Sequence, residues 1–174
     1  AALGAAQYRV SQLVQANLMF GRHAHALAEQ LDHTRRRALH DPLTGLANRT
    51  LLADRLEMAI VHARREAAHI AVMLIDLDGF KTINDSCGHE AGDQLLREVS
   101  ALLGSEMRRR DTLARLGGDE FGALIEHCAT AEAEEIAWKL CRKVKAYSFV
   151  WNGQEFSVGA SIGIVPSNAT SGRA

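Results

Sequence analysis

Carboxylates crowd two short stretches of this 174-residue chain. One is Asp76-Leu77-Asp78-Gly79-Phe80-Lys81-Thr82-Ile83-Asn84-Asp85, and the other is Asp119-Glu120, directly after Gly117-Gly118. Carboxylates that converge from a strand end and a neighbouring turn suit Mg²⁺, which takes few of them and fills its other positions with water and phosphate oxygens. Taken singly, each acid reads as a solvated or helix-capping residue, and it is the pairing of the clusters that favours a metal. An EF-hand loop over residues 76–85 is excluded, because Lys81 stands where that loop requires glycine. Gly117-Gly118 reads as a turn needing positive φ, or as side-chain-free backbone that lets a phosphate or sugar approach the adjacent acids. Gly88-His89-Glu90-Ala91-Gly92-Asp93 precedes a helix. It reads as simple capping or, with Asn84 and Asp93, as a helix start able to read a purine edge. His89 alone reads as a surface histidine, and Arg108-Arg109-Arg110-Asp111 as a solvated basic helix end.

Bringing the two acid clusters together requires strands that end beside each other. The apolar run Ile70–Leu77 ends in acid and predicts a central strand buried on both faces. Before it, Asn48 caps a helix with Leu51, Leu52, Leu56, Ala59, Ile60 and Ala63 on one face. Asp41-Pro42-Leu43-Thr44-Gly45-Leu46 ahead of that helix is turn chemistry, since proline cannot continue a helix and glycine permits a sharp bend. After a loop, Gly92–Met107 is expected to be helical, with Leu95, Leu96, Val99, Leu102 and Leu103 at helical spacing. Thr112–Leu116 and Phe121–Glu126 read as strands flanking a Gly-Gly-Asp-Glu hairpin turn. Ala131–Ala146 reads as a further core helix, and Phe149–Trp151 and Gln154–Val165 as two strands around Asn152-Gly153. This order implies an α/β layer with a mainly antiparallel central sheet backed by helices.

Residues 1–40 have a different pattern. A 3-4 spacing runs through Val10, Leu13, Asn17, Phe20, Ala24, Leu27, Leu31, Thr34 and Ala38. It reads as a heptad seam with Asn17 as the polar position that fixes register, or as one amphipathic helix lying on its own domain. Arg35-Arg36-Arg37 marks solvated surface near its end.

The composition bounds the function. Hydrophobic residues make up 47% of the chain, charged residues 24%, and the net charge is −1, so wholesale disorder is excluded and no basic field exists to hold a nucleic-acid polymer. Cys87, Cys128 and Cys141 are odd in number and lack metal-ligand spacing, which suits a reducing compartment. Ile70–Ile75, the longest apolar run, is far short of the roughly 20 residues needed to span a bilayer, and no signal peptide is visible. A soluble cytoplasmic protein without membrane contact is therefore expected.

Four blocks, in this order and spacing, closely resemble the GGDEF family of bacterial diguanylate cyclases: Asp41–Arg49, Asp76–Asp85, Gly88–Asp93 and Arg115–Phe121. The resemblance spans residue 41 to about 165. It implies the GGDEF fold, related to nucleotide cyclase and polymerase palm folds, and a reaction joining two GTP molecules into cyclic di-GMP with loss of two pyrophosphates. It also implies Mg²⁺, or Mn²⁺ as an alternative, bound by Asp76 and Asp119 with help from the Leu77 carbonyl and Glu120. Asp119 would act as base toward the ribose 3′-hydroxyl, and Lys81 would stabilise the charged transition state. Asn84 and Asp93 would hydrogen-bond guanine, His89 would line the nucleotide site, and Phe80, Gly117 and Gly118 would lie on the substrate side. Arg108 and Asp111 match the family's Arg-x-x-Asp product-inhibition site.

Because each domain holds one GTP, the resemblance implies a homodimer, brought together by the helical stalk at residues 1–40. An upstream sensor and a downstream phosphodiesterase domain are the expected partners. Family members continue beyond the strand ending near Val165 into a helix, whose Lys and Arg contact the phosphates, and a strand. Ser167–Arg173 reads as a loop, so residues 41–174 are expected to be a GGDEF domain without those last elements. The alternative to an enzyme is a catalytically silent module that binds GTP or cyclic di-GMP and regulates an attached signalling domain.

Overall fold

A computed structural model describes residues 36–167 continuously and, before them, residues 19–21, 24–28, 30 and 34. The chain divides into two compact units, Ala1–Ala38 and Leu39–Ala174. In the first, the described residues are helical, and of the heptad positions Phe20, Ala24, Leu27, Thr34 and Ala38 are exposed. Val10, Leu13, Asn17 and Leu31 lie outside the described residues, as do Arg35 and the expected loop beyond Ser167. Among the described residues no helix is long and apolar enough to cross a membrane.

The second unit starts with a turn, followed by α1 (Arg49–Glu66). Asn48 caps this helix as its sequence predicts, its side chain accepting from the Leu51 amide at 3.0 Å. The helix ends at Ala67, which sits in the left-handed region (φ 52°) while Arg64 and Arg65 complement the C-terminal end of the dipole. Strand β1 (Ile70–Asp78) follows. Its odd positions Ala71, Met73, Ile75 and Leu77 are buried in the main core, whereas Ile70 and Val72 pack on the α1 side.

Burial of β1 on both faces holds only for its first residues. From Leu74 onward the even positions open to solvent, with Leu74 54% exposed and Asp76 and Asp78 exposed beside it. The reason is tertiary: α1 covers the β2–β3 side of that sheet face, through Leu52, Ala59, Ala63, Ala114 and Leu124, and leaves the end of β1 bare. The acids occupy that bare end.

The expected loop between β1 and the next helix is itself helical. Gly79 (φ 84°) turns the chain into α2 (Phe80–Cys87), and Gly88 (φ 86°) separates it from α3 (His89–Gly104). Phe80, Ile83 and Cys87 recur at helical spacing and pack on the core, a short amphipathic signal that the acids and glycines around it obscure. So α3 begins three residues before the expected start at Gly92 and stops at Gly104, short of Met107.

Strands β2 (Thr112–Gly117) and β3 (Glu120–Glu126) form the expected hairpin, and α4 (Thr130–Lys145) the expected helix. The expected strand Gln154–Val165 divides in two. Its first part, β5 (Gln154–Ser157), pairs among the described residues with β4 (Ser148–Trp151), around Asn152 and Gly153 at positive φ. The second, β6 (Gly159–Ser167), leaves to pair antiparallel with β1. Two strands with different partners flank the buried Val158, and nothing local in the sequence signals the change. The four-stranded sheet runs β2-β3-β1-β6, all pairs antiparallel, with α3 and α4 packed on one face around Leu95, Leu96, Val99, Leu140 and Val144.

Gly122 of β3 shows how close α1 lies to the sheet. A Cβ there would stand 2.6 Å from Leu52 Cδ2 and 3.4 Å from the Leu116 methyls. Gly122→Ala is expected to destabilise the domain by about 1–3 kcal/mol through overpacking, visible as a lower midpoint in urea with an unchanged slope.

Candidate functional site

The bare end of β1 meets two neighbours in register. Asp76 stands opposite Glu120 of β3 on one side and Ser161 of β6 on the other, so that the three form one row across the sheet. Directly opposite side chains in such pairs have Cβ atoms about 4.5–5.5 Å apart. The β1–β3 pairing stops at this row, and at Leu77 and Asp78 the strand pairs with β6 alone. The Leu77 side chain is buried in the core, which leaves only its backbone available to the site. The Asp78 carboxylate accepts from the Ser161 hydroxyl at 2.9 Å and lies over Gly159, where a Cβ would stand 2.7 Å from Asp78 Oδ2.

Asp119 arrives on the β2–β3 turn. The turn bends through Gly117 (φ 148°) and Gly118 (φ 54°), with a register shift between Arg115 and Gly117. Both are conformations that side chains rarely adopt, which accounts for the two glycines. The result is a cluster of like charge. Burial, and then the charges of Asp119, Asp78 and Glu120, push the Asp76 carboxyl above its ordinary range. Among the described residues, one cation comes within ion-pair distance of these four acids, Arg49 at 3.9 Å from Glu120, with both side chains exposed. A cavity of about 490 Å³ opens beside the row, lined by Arg49, Leu74, Asp76, Leu116, Glu120 and Ser161 among others.

A cation would offset the burial and the neighbouring charges that raise Asp76. Among the described residues no three His, Cys, Asp or Glu side chains gather closely enough to hold a metal ion by themselves. Mg²⁺ does not require that, since one or two carboxylates with water and substrate phosphates complete its shell. The donor set present here therefore fits Mg²⁺.

The remaining residues expected to border a nucleotide lie on α2 and α3. Asn84 Oδ1 is buried and has no hydrogen-bond partner among the described residues. It packs against Gly92, where a Cβ would lie 2.9 Å from Asn84 Cγ, nearer still to Oδ1, and 3.2 Å from Phe80 Cε2. Asp93 is exposed one residue on, while Lys81 and His89 are exposed near the starts of α2 and α3. Asn84, Gly92 and Phe80 are thus in one place, and the buried amide oxygen there is left as a free acceptor.

Arg108 and Asp111 are elsewhere. The Arg108 amide donates to Asp111 Oδ2 at 2.8 Å, and Asp111 Oδ1 accepts from the Glu126 amide at 3.4 Å. Glu126 ends β3 six residues after Glu120, so this pair sits about 20 Å from the acidic row, although it is near the hairpin turn in sequence. The Arg108 guanidinium bonds Glu132 of α4 at 2.6 Å, and that hydrogen bond raises its already high pKa. Sequence reading passed over Glu132, Ser161, the packing of Gly92 on Asn84 and the Asp41–Arg115 ion pair at 3.2 Å, all of which need tertiary proximity to be seen.

Comparison with known proteins agrees with this architecture. The model of the family described as "Diguanylate cyclase, GGDEF domain" matches residues 38–174. The chain is 46% identical over 127 residues to the probable diguanylate cyclase DgcE of Escherichia coli, covering 73% of this chain and 12% of that protein. It is 49% identical over 127 residues to the bifunctional diguanylate cyclase/cyclic di-GMP phosphodiesterase MucR of Pseudomonas aeruginosa, again covering 73% of this chain but 18% of that protein. It therefore spans less than a fifth of either relative. Among solved structures, the coiled coil and GGDEF domain of DgcB from Caulobacter crescentus, in complex with c-di-GMP, superposes with a TM-score of 0.81 at 27% identity, covering 90% of this chain and 84% of that one. The family model, the relatives and the antiparallel fold agree: this chain belongs to the GGDEF-domain family of diguanylate cyclases.

Proposed function

We propose that the chain is a diguanylate cyclase domain that condenses two GTP molecules into cyclic di-GMP in the cytoplasm. The observation that carries this reading is the acidic row. Asp76 and Glu120 stand opposite each other at one sheet end, and Asp119 precedes Glu120 on the turn. Burial, then the charges of Asp119, Asp78 and Glu120, raise the Asp76 carboxyl, a strain that a divalent cation would relieve. Each ribose 3′-hydroxyl attacks the α-phosphorus of the other GTP, the bond from that phosphorus to the bridging oxygen of the β-phosphate breaks, and pyrophosphate leaves. Asp119 receives the hydroxyl proton. Lys81, as a compact point charge, stabilises the negative charge that develops on the phosphoryl oxygens. Asn84 and Asp93 recognise the guanine edge, with Asp93 accepting from its N1 and N2 donors, Phe80 and His89 border the nucleotide, and Gly117 and Gly118 let the phosphates approach. Asp76, Asp119, Glu120 and the Leu77 carbonyl are the groups that would hold Mg²⁺ or Mn²⁺. When bound, that ion lowers the pKa of the hydroxyl and offsets phosphoryl charge.

Two such sites must face each other, so the working form is a homodimer, and the heptad seam in residues 1–40 is the element that brings the domains together under control of an upstream sensor. The decisive experiment is incubation of the full-length dimeric protein with GTP and Mg²⁺. Cyclic di-GMP and pyrophosphate are expected in a 1:2 ratio, two pyrophosphates for each dinucleotide, and their absence would overturn the enzymatic reading. GTP binding by calorimetry without turnover would instead support a silent regulatory module attached to a domain such as a phosphodiesterase.

The pair Arg108 and Asp111 would bind the product and hold two domains apart, giving inhibition that is noncompetitive toward GTP. Arg108→Ala should weaken that inhibition by roughly ten- to a hundredfold by removing a charged contact. Glu132 already engages the same guanidinium, so an incoming phosphate must displace it. Glu132→Gln is therefore expected to strengthen product inhibition a few-fold, a modest change because the pair is exposed. Inhibition curves with added cyclic di-GMP measure both.

A further inference from the structure

Arg115 stands between two turns that are distant in sequence. Its side chain is only 13% exposed, and its partner Asp41 17%. Nη1 lies 3.2 Å from both Asp41 carboxylate oxygens, while Nε and Nη2 donate to the Gly118 carbonyl at 3.0 and 2.8 Å. Asp41 is itself fixed, its Oδ1 accepting from the Thr44 amide and hydroxyl at 2.9 and 2.7 Å. Burial works to raise the Asp41 carboxyl, but the hydrogen bonds from Thr44 and Arg115 outweigh it and hold it below its ordinary value. The turn around Asp41 is closed by three backbone bonds, Asp41 to Leu46, Gly45 to Asp41 and Asn48 to Leu39, and it is joined to β2 where the Arg115 amide donates to the Ala47 carbonyl at 2.9 Å.

At the other end, Gly118 immediately precedes Asp119. Two consecutive glycines leave the turn backbone with little stiffness of its own. A carbonyl held by two N–H groups of one charged, planar guanidinium is fixed in direction as well as distance. We propose that Arg115 is a positioning residue: by tying the Gly118 carbonyl to Asp41 it sets the orientation of Asp119, so that the conformation of the turn at residues 39–48 controls how well the site is assembled. This rests on the reading of Asp119 as a catalytic carboxylate. Displacement of a catalytic group by about 1 Å costs on the order of a hundredfold in rate, so a loosened turn acts mainly on kcat and much less on GTP affinity, because the proposed guanine contacts lie on α2 and α3.

The test uses the full chain carrying Arg115→Lys, Arg115→Ala, Asp41→Asn, and the double variant Asp41→Asn with Arg115→Ala. Amide hydrogen exchange of residues 117–120 is measured beside kcat and KM. Faster exchange confined to that turn is expected in every variant, with exchange in α3 and β1 unchanged. A kcat lower by about tenfold or more at nearly constant KM is expected for Arg115→Lys, because an ammonium cannot make the forked contact. Asp41→Asn should add nothing once Arg115 is alanine. Unchanged exchange at residues 117–120, a uniform rise across the whole domain, or additive effects in the double variant would overturn the proposal. Exchange is read without turnover, so a failure of the catalytic reading shows separately, as an Asp119→Asn variant with undiminished activity.

Discussion

Asparagine at position 76 or 119 is expected to lower cyclic di-GMP formation by at least about a hundredfold, while the fold persists. Each change deletes one anionic oxygen from the acidic row, and Asp119→Asn also removes the base, a role worth typically 10²–10⁴-fold. The stability effect of Asp76→Asn should run the other way. The Asp76 carboxyl is raised in the folded protein by burial and by Asp119, Asp78 and Glu120. A carboxyl with a folded pKa above its unfolded value is disfavoured when ionised, so it destabilises the fold at neutral pH, and that cost fades as pH falls through the raised value. Asp76→Asn should therefore melt higher than the wild-type protein at pH 7, with the gap closing in acid. Mg²⁺ should raise the wild-type midpoint and leave that of Asp76→Asn almost unmoved, since a ligand stabilises only the form that binds it. Differential scanning fluorimetry across pH, with and without Mg²⁺, reads each effect. Wild-type turnover in either variant would refute the metal assignment.

Gly92→Ala is expected to raise the KM for GTP by about tenfold or more, with a smaller change in kcat. The added methyl would take the space now filled by the Asn84 amide and would press on Phe80. A side-chain amide can rotate aside where backbone cannot, so the fold survives and the group proposed to read guanine is displaced. Discrimination between GTP and ATP should fall in parallel, because the guanine-specific hydrogen bond is then lost. Asn84→Ala gives the control: in that background only Phe80 stands close to the methyl, and Gly92→Ala should cost little more. Equal losses in both backgrounds would show that Gly92 acts on something other than Asn84.

Much of the local architecture was legible in residue types. Asn48 announced a helix cap, the apolar face from Leu51 to Ala63 announced a helix that does pack on the sheet, residues 131–146 read as the core helix now seen at 130–145, and Gly117-Gly118 announced a turn that needs unusual backbone angles. The four motif blocks, read together, pointed to the family that the comparisons support. These are short-range signals, written within one helix or one turn, and the physics behind them acts over a few residues.

The sequence by itself thus determined most of the elements, their order and the acids at their ends, but not the helix Phe80–Cys87 or the division of the last expected strand at Val158. Tertiary structure decided the rest, because strand pairing and long-range ion pairs are selected by register and by the closing of loops, which leave no local trace. Only the β2-β3-β1-β6 order puts Asp76 between Glu120 and Ser161, and only the limited reach of α1 leaves that row open to solvent. Arg115 and Asp41 are 74 residues apart and meet because Ala47 joins β2, while Arg108 finds Glu132 because α4 packs back beside the segment before that strand. A run of apolar residues can announce a strand. Which of its faces is covered depends on what the rest of the chain places over it.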